Sequence, residues 1–298
     1  MLKFIYIQKI NDGGLKMKSL ISFDGFSDVA NNLIDKISNA VGWVVSHDTP
    51  KKIAVDTYIK DIQESNFDAI TKASLISRAK KTIKEYCNQR DIVSMALSTI
   101  NPSARPNDVD TDWLLQFMDK ARLVSDADFQ IIWANILAEE CNSPGTIPKA
   151  LLHTLEQMDK HMAIAFMNVA SVSINYMDDG KMEYNPIILG DEFNTYYKSI
   201  GINLDNLIEL QSLGLIKIGE GLTMYSMQCS APVVVHYHNQ EYQLPERFNV
   251  GEVVYTRIGK VLCGVVKVEK VEDFFDKICV PFWEKENNGI KSHIATQA

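Results

Sequence analysis

The 298-residue chain lacks the signatures that most readily announce chemistry. No Cys-x-x-Cys pair occurs, and the five cysteines (Cys87, Cys141, Cys229, Cys263 and Cys279) are widely spaced and odd in number. This excludes a disulfide framework and reads as reduced thiols in a cytoplasmic protein. No uninterrupted apolar run reaches the ~18 residues that a membrane-spanning helix needs. The glycines are scattered, and there is no P-loop, Gly-x-Gly-x-x-Gly or Gly-x-Ser-x-Gly sequence, so nothing announces a phosphate cradle or a nucleophile elbow. Positive charge is in deficit: 30 Lys and Arg stand against 38 Asp and Glu, a formal net charge of -8. Neutralising duplex phosphate requires a concentrated basic face, so the overall balance disfavours nucleic acid as the main partner.

What is present builds a core. With 46% hydrophobic and 23% charged residues, a packed globular protein is expected, long enough for two domains or one with an extension. The opening MLKFIYIQKI is too short an apolar stretch for a signal peptide, and NDGG follows where a cleavage site should lie. Met17 is therefore the expected functional start, with residues 1–16 as an upstream extension.

Over 17–100 the pattern predicts an amphipathic helix and a long helix. Phe26, Val29, Leu33, Ile37 and Val41 recur at helical spacing, with Trp43 and Val44 beyond them. This wide stripe ahead of the break at Pro50 is the expected contact surface for a partner, a second copy or a membrane. Its alternative role is ordinary core against the following module. Residues 51–99, free of Gly and Pro, predict one long helix or two collinear ones. The cluster Arg78–Lys84 has two readings, a phosphate contact or a solvated face. Asn101–Asp110 reads as a linker.

The module at 108–175 predicts four helices. Trp113, Phe117 and Met118 line the first, and Trp133, Ile136 and Leu137 the second, with Ser125 and Asp128 as its capping pair. Pro144-Gly145 closes the second helix, and Met162–Ile174 is apolar almost all round. Residues 175–202 read as loop-rich with a turn at YMDDGKM. From 203 to 298 a helix ending at LGLI, the strands TMYSMQC, PVVVHYH and EVVYT, and two further helical segments predict a small α+β unit of winged-helix type. The fold class is mainly α.

Three groups of polar residues are candidates for chemistry. Glu139 and Glu140 with Asp126 and Asp128 are the densest carboxylates, and they suit helix ends better than acid–base catalysis. His153 and His161 lack the i, i+4 spacing that puts two imidazoles on one metal. His236 and His238 would share one strand face, with Cys229 as a third ligand, but no fourth ligand is evident. No catalytic residue, metal or cofactor is expected.

The segments GFSDVANNLIDKISNAVG, DTDWLLQFMDKARLVSDADFQIIWANILAEECNSPGTIPKALLHTL and, more weakly, LIELQSLGLI and YTRIGKVL resemble the bacterial family called domain of unknown function twenty-eight-oh-six. The likeness covers roughly residues 25–45 and 108–170. It implies a motif core of Trp113, Phe117, Trp133, Ile136, Leu137, Pro144 and Gly145, and no activity. Thr-Ile-Pro-Lys-Ala after the Pro-Gly turn departs from a Ser-x-Arg-Thr-like run in the family. A distant similarity to abortive-infection proteins points to phage defence. The expected function is a non-enzymatic interaction or regulatory protein. The alternatives are a membrane effector working through residues 26–45 at the inner membrane, and nucleic-acid binding by the C-terminal unit.

Overall fold

A computed structural model describes residues 28–43, 52–190, 194–220 and 223–286. The helical body begins with α1 (Asp28–Val41), followed by α2 (Lys52–Glu64) and the 29-residue α3 (Ala69–Leu97). The stretch predicted as one helix or two collinear ones is broken at 65–68. Asp68 caps α3 there by accepting from the N–H groups of Ile70 and Thr71, and α2 packs on α3. The buried residues of α3 (Asn88, Ile92, Val93, Ala96 and Leu97) all lie in its last third. The helix packs on α5 and on α2, and none of residues 69–87 is fully buried.

Asn101–Asp110 is no loose linker. It forms a 3-10 turn at Pro106–Asp108 that buries Ala104, Pro106 and Val109. The N–H of Arg105 donates to the carbonyl of Cys141 at 2.8 Å. Next come α4 (Thr111–Ala121), α5 (Ala127–Asn142), α6 (Lys149–Gln157) and α7 (Lys160–Ser171). The cap of α5 is Asp126 rather than Ser125, and its carboxylate accepts from Asp128 and Phe129, each at 3.1 Å. The fourth helix of the module ends before Ser173, which together with Ile174 opens a strand.

That strand, β1 (Ser173–Asp178), pairs with β2 (Lys181–Pro186) through a turn in which Asp179 and Gly180 both have positive φ. Such a two-residue turn matches the twist of a hairpin. The expected loop thus holds most of a β-hairpin and a short helix. Helices α8 (Asn194–Ser199) and α9 (Leu204–Ser212) follow, then β3 (Ile216–Ile218), β4 (Tyr225–Gln228), β5 (Val233–Tyr237), β6 (Gln240–Leu244), β7 (Arg247–Gly251) and β8 (Val253–Tyr255). The chain then runs through α10 (Arg257–Val265), a π-helical turn at Phe275–Cys279 and α11 (Val280–Glu286).

The winged-helix expectation gives way to a different pairing. Strands β5 and β6 complete a four-stranded antiparallel sheet, β2-β1-β5-β6, with the hairpin of residues 173–186. Strand β3 pairs with β8 and β4 with β7 as separate two-stranded ribbons. Strand β5, which completes its hydrogen bonds on β1, does not form a sheet closed within 203–298. The fold is mainly α with small antiparallel sheets, and one continuous buried core runs from α1 to α11.

The two weak motif segments meet in space. Gly214 ends α9 in the left-handed conformation (φ 71°), and Thr256, the cap of α10, donates its hydroxyl toward the carbonyl of Gly214 and its N–H to that of Leu215 at 3.0 Å. A Cβ on Gly259 would sit 1.9 Å from the Leu215 oxygen, so only glycine lets α10 approach β3 this closely.

Candidate functional site

The motif core is internal. Trp113 stacks on Phe117 with ring centroids 5.2 Å apart, and Phe117 meets Trp133 at 5.3 Å. Trp133, Ile136 and Leu137 are fully buried. The indole N–H groups of Trp113 and Trp133 are buried without a partner among the described residues, so packing alone holds the rings.

The motif's final glutamate, Glu140, is also buried. One carboxylate oxygen accepts from the N–H of Gly145 at 2.7 Å and the other from Ile147 at 2.9 Å, which clamps the Pro144-Gly145 turn onto α5. Burial pushes its pKa up, against the pull of those two donors. The departure after the turn has a structural use: Lys149 pairs with Asp110, the cap of α4, at 3.0 Å and holds that carboxyl below its ordinary range.

The stripe expected to meet a partner is turned inward. Leu33 and Ile37 are fully buried, Trp43 is buried and stacks on Tyr86 at 5.8 Å, and Val29 and Val41 are half-buried against the same core. Helix α1 packs on α4 and on the 3-10 turn, where Lys36 donates to the Asn107 carbonyl at 3.2 Å. The stripe is covered because the supposed linker is folded and provides the covering surface. Phe26 and Val44, and with them Met17 and the expected extension 1–16, lie outside the described residues.

The candidate chemistries come apart in the same way. Asp126 and Asp128 bind Lys160 at the start of α5, whereas Glu140 clamps the loop at its other end. His161 faces Glu209 at 3.4 Å, and Glu156 pairs with Lys120 instead. His236 lies opposite Glu241, but His238 sits in the β5–β6 turn with φ 54°, so strand alternation ends before it and the two imidazoles do not share a face with Cys229. Among the described residues no group of three or more His, Cys, Asp or Glu is placed to hold a metal. The thiols are poor nucleophiles. Burial pushes Cys141 up to about 12 and Cys263 up to about 11, and Cys279 well above its usual value.

The α2–α3 pair also has an exposed end, which the sequence does not single out as a site. Ile70 is 82% exposed, Phe67 55% and Tyr58 52%. Behind this tip α3 is anchored by side chains on the carbonyls that end α4: Asn88 donates to Arg122 O at 2.8 Å and Gln89 to Met118 O at 2.9 Å. Arg122 itself pairs with Glu85 at 2.8 Å and Asp119 at 2.9 Å. The signal for this site lay in the run Phe67-Asp68-Ala69-Ile70, a helix cap flanked by large apolar residues.

No helix among the described residues is long and apolar enough to cross a membrane. A model of the family described as "Protein of unknown function (DUF2806)" matches residues 75–279, which excludes α1 and the α2–α3 tip and ends in the π-helical turn. No curated protein and no solved structure matches the chain.

Proposed function

The chain belongs to the family of proteins of unknown function DUF2806, and from that membership, which carries no assigned chemistry, we propose that it acts by binding: a non-enzymatic interaction or regulatory protein that offers the α2–α3 tip to a protein partner. The exposure of Phe67 and Ile70 at the inter-helix turn, with that of Tyr58 in the middle of α2, carries this reading. Single apolar residues scattered over a surface are ordinary, but a cluster of large ones invites a contact. Anti-phage defence is the setting we propose, on the likeness to abortive-infection proteins that combine such a helical module with an LGLI-type tail.

A membrane effector working through α1 would require that helix to leave the body, since Leu33 and Ile37 are buried in it. Nucleic-acid binding by a winged-helix-like unit at 203–298 is a weaker proposal, because those residues carry nine Lys and Arg against twelve Asp and Glu.

The triple variant Tyr58→Ser, Phe67→Ser, Ile70→Ser tests the proposal, because these side chains contribute little to the core. Wild type and variant are used as baits in the native cell, and size-exclusion light scattering reads self-association. The expected result is an unchanged melting temperature with one interaction, to another protein or to a second copy, lost. An identical set of bound proteins and an identical mass would end this reading.

A further inference from the structure

We infer that the outer face of α3 from Ser74 to Lys84 binds the phosphodiester backbone of a nucleic-acid duplex without reading its sequence. From Ala69 to Lys84 the helix carries Lys72, Arg78, Lys80, Lys81 and Lys84 and not one carboxylate, in a chain whose net charge is -8. The side chains sort by face. Leu75, Ile76, Ala79 and Ile83 are half-buried along one side, and Ser74, Ser77, Arg78, Lys80, Lys81 and Lys84 are exposed on the other.

The cations on that face are unspent. Arg78, Lys80 and Lys84 form no ion pair among the described residues, in contrast to the neutralised pairs Lys60–Glu64 and Lys277–Asp273. Lys81 reaches only Glu85, at 3.8 Å, and that carboxylate is held closer by Arg122 at 2.8 Å. Lys80 and Lys84 stand one helical turn apart, where like charges repel, and among the described residues neither is within ion-pair distance of a carboxylate.

The chemistry of the face fits phosphate. Every group on it is a donor, and Arg, Lys, Ser and Thr are the side chains that contact phosphate oxygens. The eleven residues of helix from Ser74 to Lys84 span about 16 Å, and duplex DNA carries one charge per ~1.7 Å of axis, so the face lies beside several phosphates at once. A bilayer fits less well. An interfacial helix draws its binding from several large apolar side chains beside the cations; here Leu75, Ile76 and Ile83 are half-buried, and of the large apolar side chains in residues 69–84 Ile70 alone is exposed.

Ile70 lies two turns before Ser77 on the same side of α3, but the inference rests on the cations and the proposed protein contact on the apolar side chains, so the two fail separately. The probe is a short labelled mixed-sequence duplex, in DNA and in RNA forms, followed by fluorescence anisotropy across a salt series. Wild type should bind at low salt, with log K falling against log salt at a slope of about -2.7 to -3.6 if three or four phosphates are neutralised. Arg78→Gln, Lys80→Gln, Lys81→Gln, Lys84→Gln should weaken binding at least about tenfold. The milder Lys80→Gln, Lys84→Gln removes two charges that have no ion-pair partner among the described residues, and should reduce the slope to about half at an unchanged melting temperature. The Tyr58, Phe67, Ile70 variant should bind as wild type does. Failure of the wild type to bind either duplex at low salt, full affinity in the Gln variants, or binding to phosphatidylserine vesicles in place of duplex would each overturn the inference.

Discussion

At the scale of single residues the clearest case is Glu140. A carboxylate at the end of a helix reads as a surface cap, yet this one is 1% exposed and holds two backbone N–H groups seven residues or fewer away. Its role is to shape the turn between α5 and α6. Glu140→Ala leaves those donors without a partner, and should cost about 2–3 kcal/mol of folding stability in chemical denaturation. The pH dependence follows from the raised pKa, whose first cause is burial. A carboxyl raised in the folded state contributes most when protonated. Its contribution is therefore full below the ordinary glutamate range and is lost as pH rises through the raised value. The stability gap between wild type and Glu140→Ala should accordingly be wider in mildly acidic buffer than at neutral pH, and a gap that narrows on acidification would show that the two N–H bonds outweigh desolvation.

Elements show how one covered face decides what another is for. Helix α1 has the amphipathicity of a docking helix, and its partner is the chain itself: α4 and the 3-10 turn at Pro106–Asp108 close over Leu33 and Ile37. Leu33→Ala should therefore lower stability by about 2–5 kcal/mol, the cost of a cavity in packed core, and leave the sedimentation coefficient unchanged. A stable variant with altered association would return α1 to the surface. The α2–α3 pair shows the converse, because Tyr58, Phe67 and Ile70 on it are each more than half exposed.

For the molecule as a whole, the four-stranded sheet is the decisive feature. Asn175 and Tyr176 pair with His236 and Val235, so the hairpin that continues the helical module is completed by strands from the C-terminal third. Asn135 of α5 donates to the carbonyl of Val265 at the end of α10, at 3.1 Å, and the Tyr237 hydroxyl lies 3.1 Å from the Ser171 carbonyl. Trp283 of α11 donates to Asn249 O at 2.8 Å and so ties the last described helix to β7. Cross-links of this density make separate unfolding costly, because opening either part strands buried polar groups and apolar surface in the other. Native-state hydrogen exchange should then give slow amides in α5 and in β5 the same opening free energy and the same response to denaturant. Two distinct values would mean two independently folding units.

The sequence by itself determined what local spacing controls. The stripes of α4, α5 and α6, the Pro-Gly turn, the Asp-Gly turn and the strands β4, β5 and β8 are all legible, because helical and strand periodicity act within a few residues. The motif core was legible for the same reason: Trp113, Phe117 and Trp133 are large apolar residues at core positions. Only the tertiary structure decided which apolar faces are covered. The stripe at Leu33 and Ile37 and the exposed residues at Phe67 and Ile70 look alike in sequence, and they differ only in whether a distant segment closes over them. Strand partners were equally hidden, since β1 finds β5 about sixty residues away and no local pattern encodes that distance. The fates of Glu140 and His238 followed from a loop folding back and a turn reversing the chain, both of which depend on the packed whole.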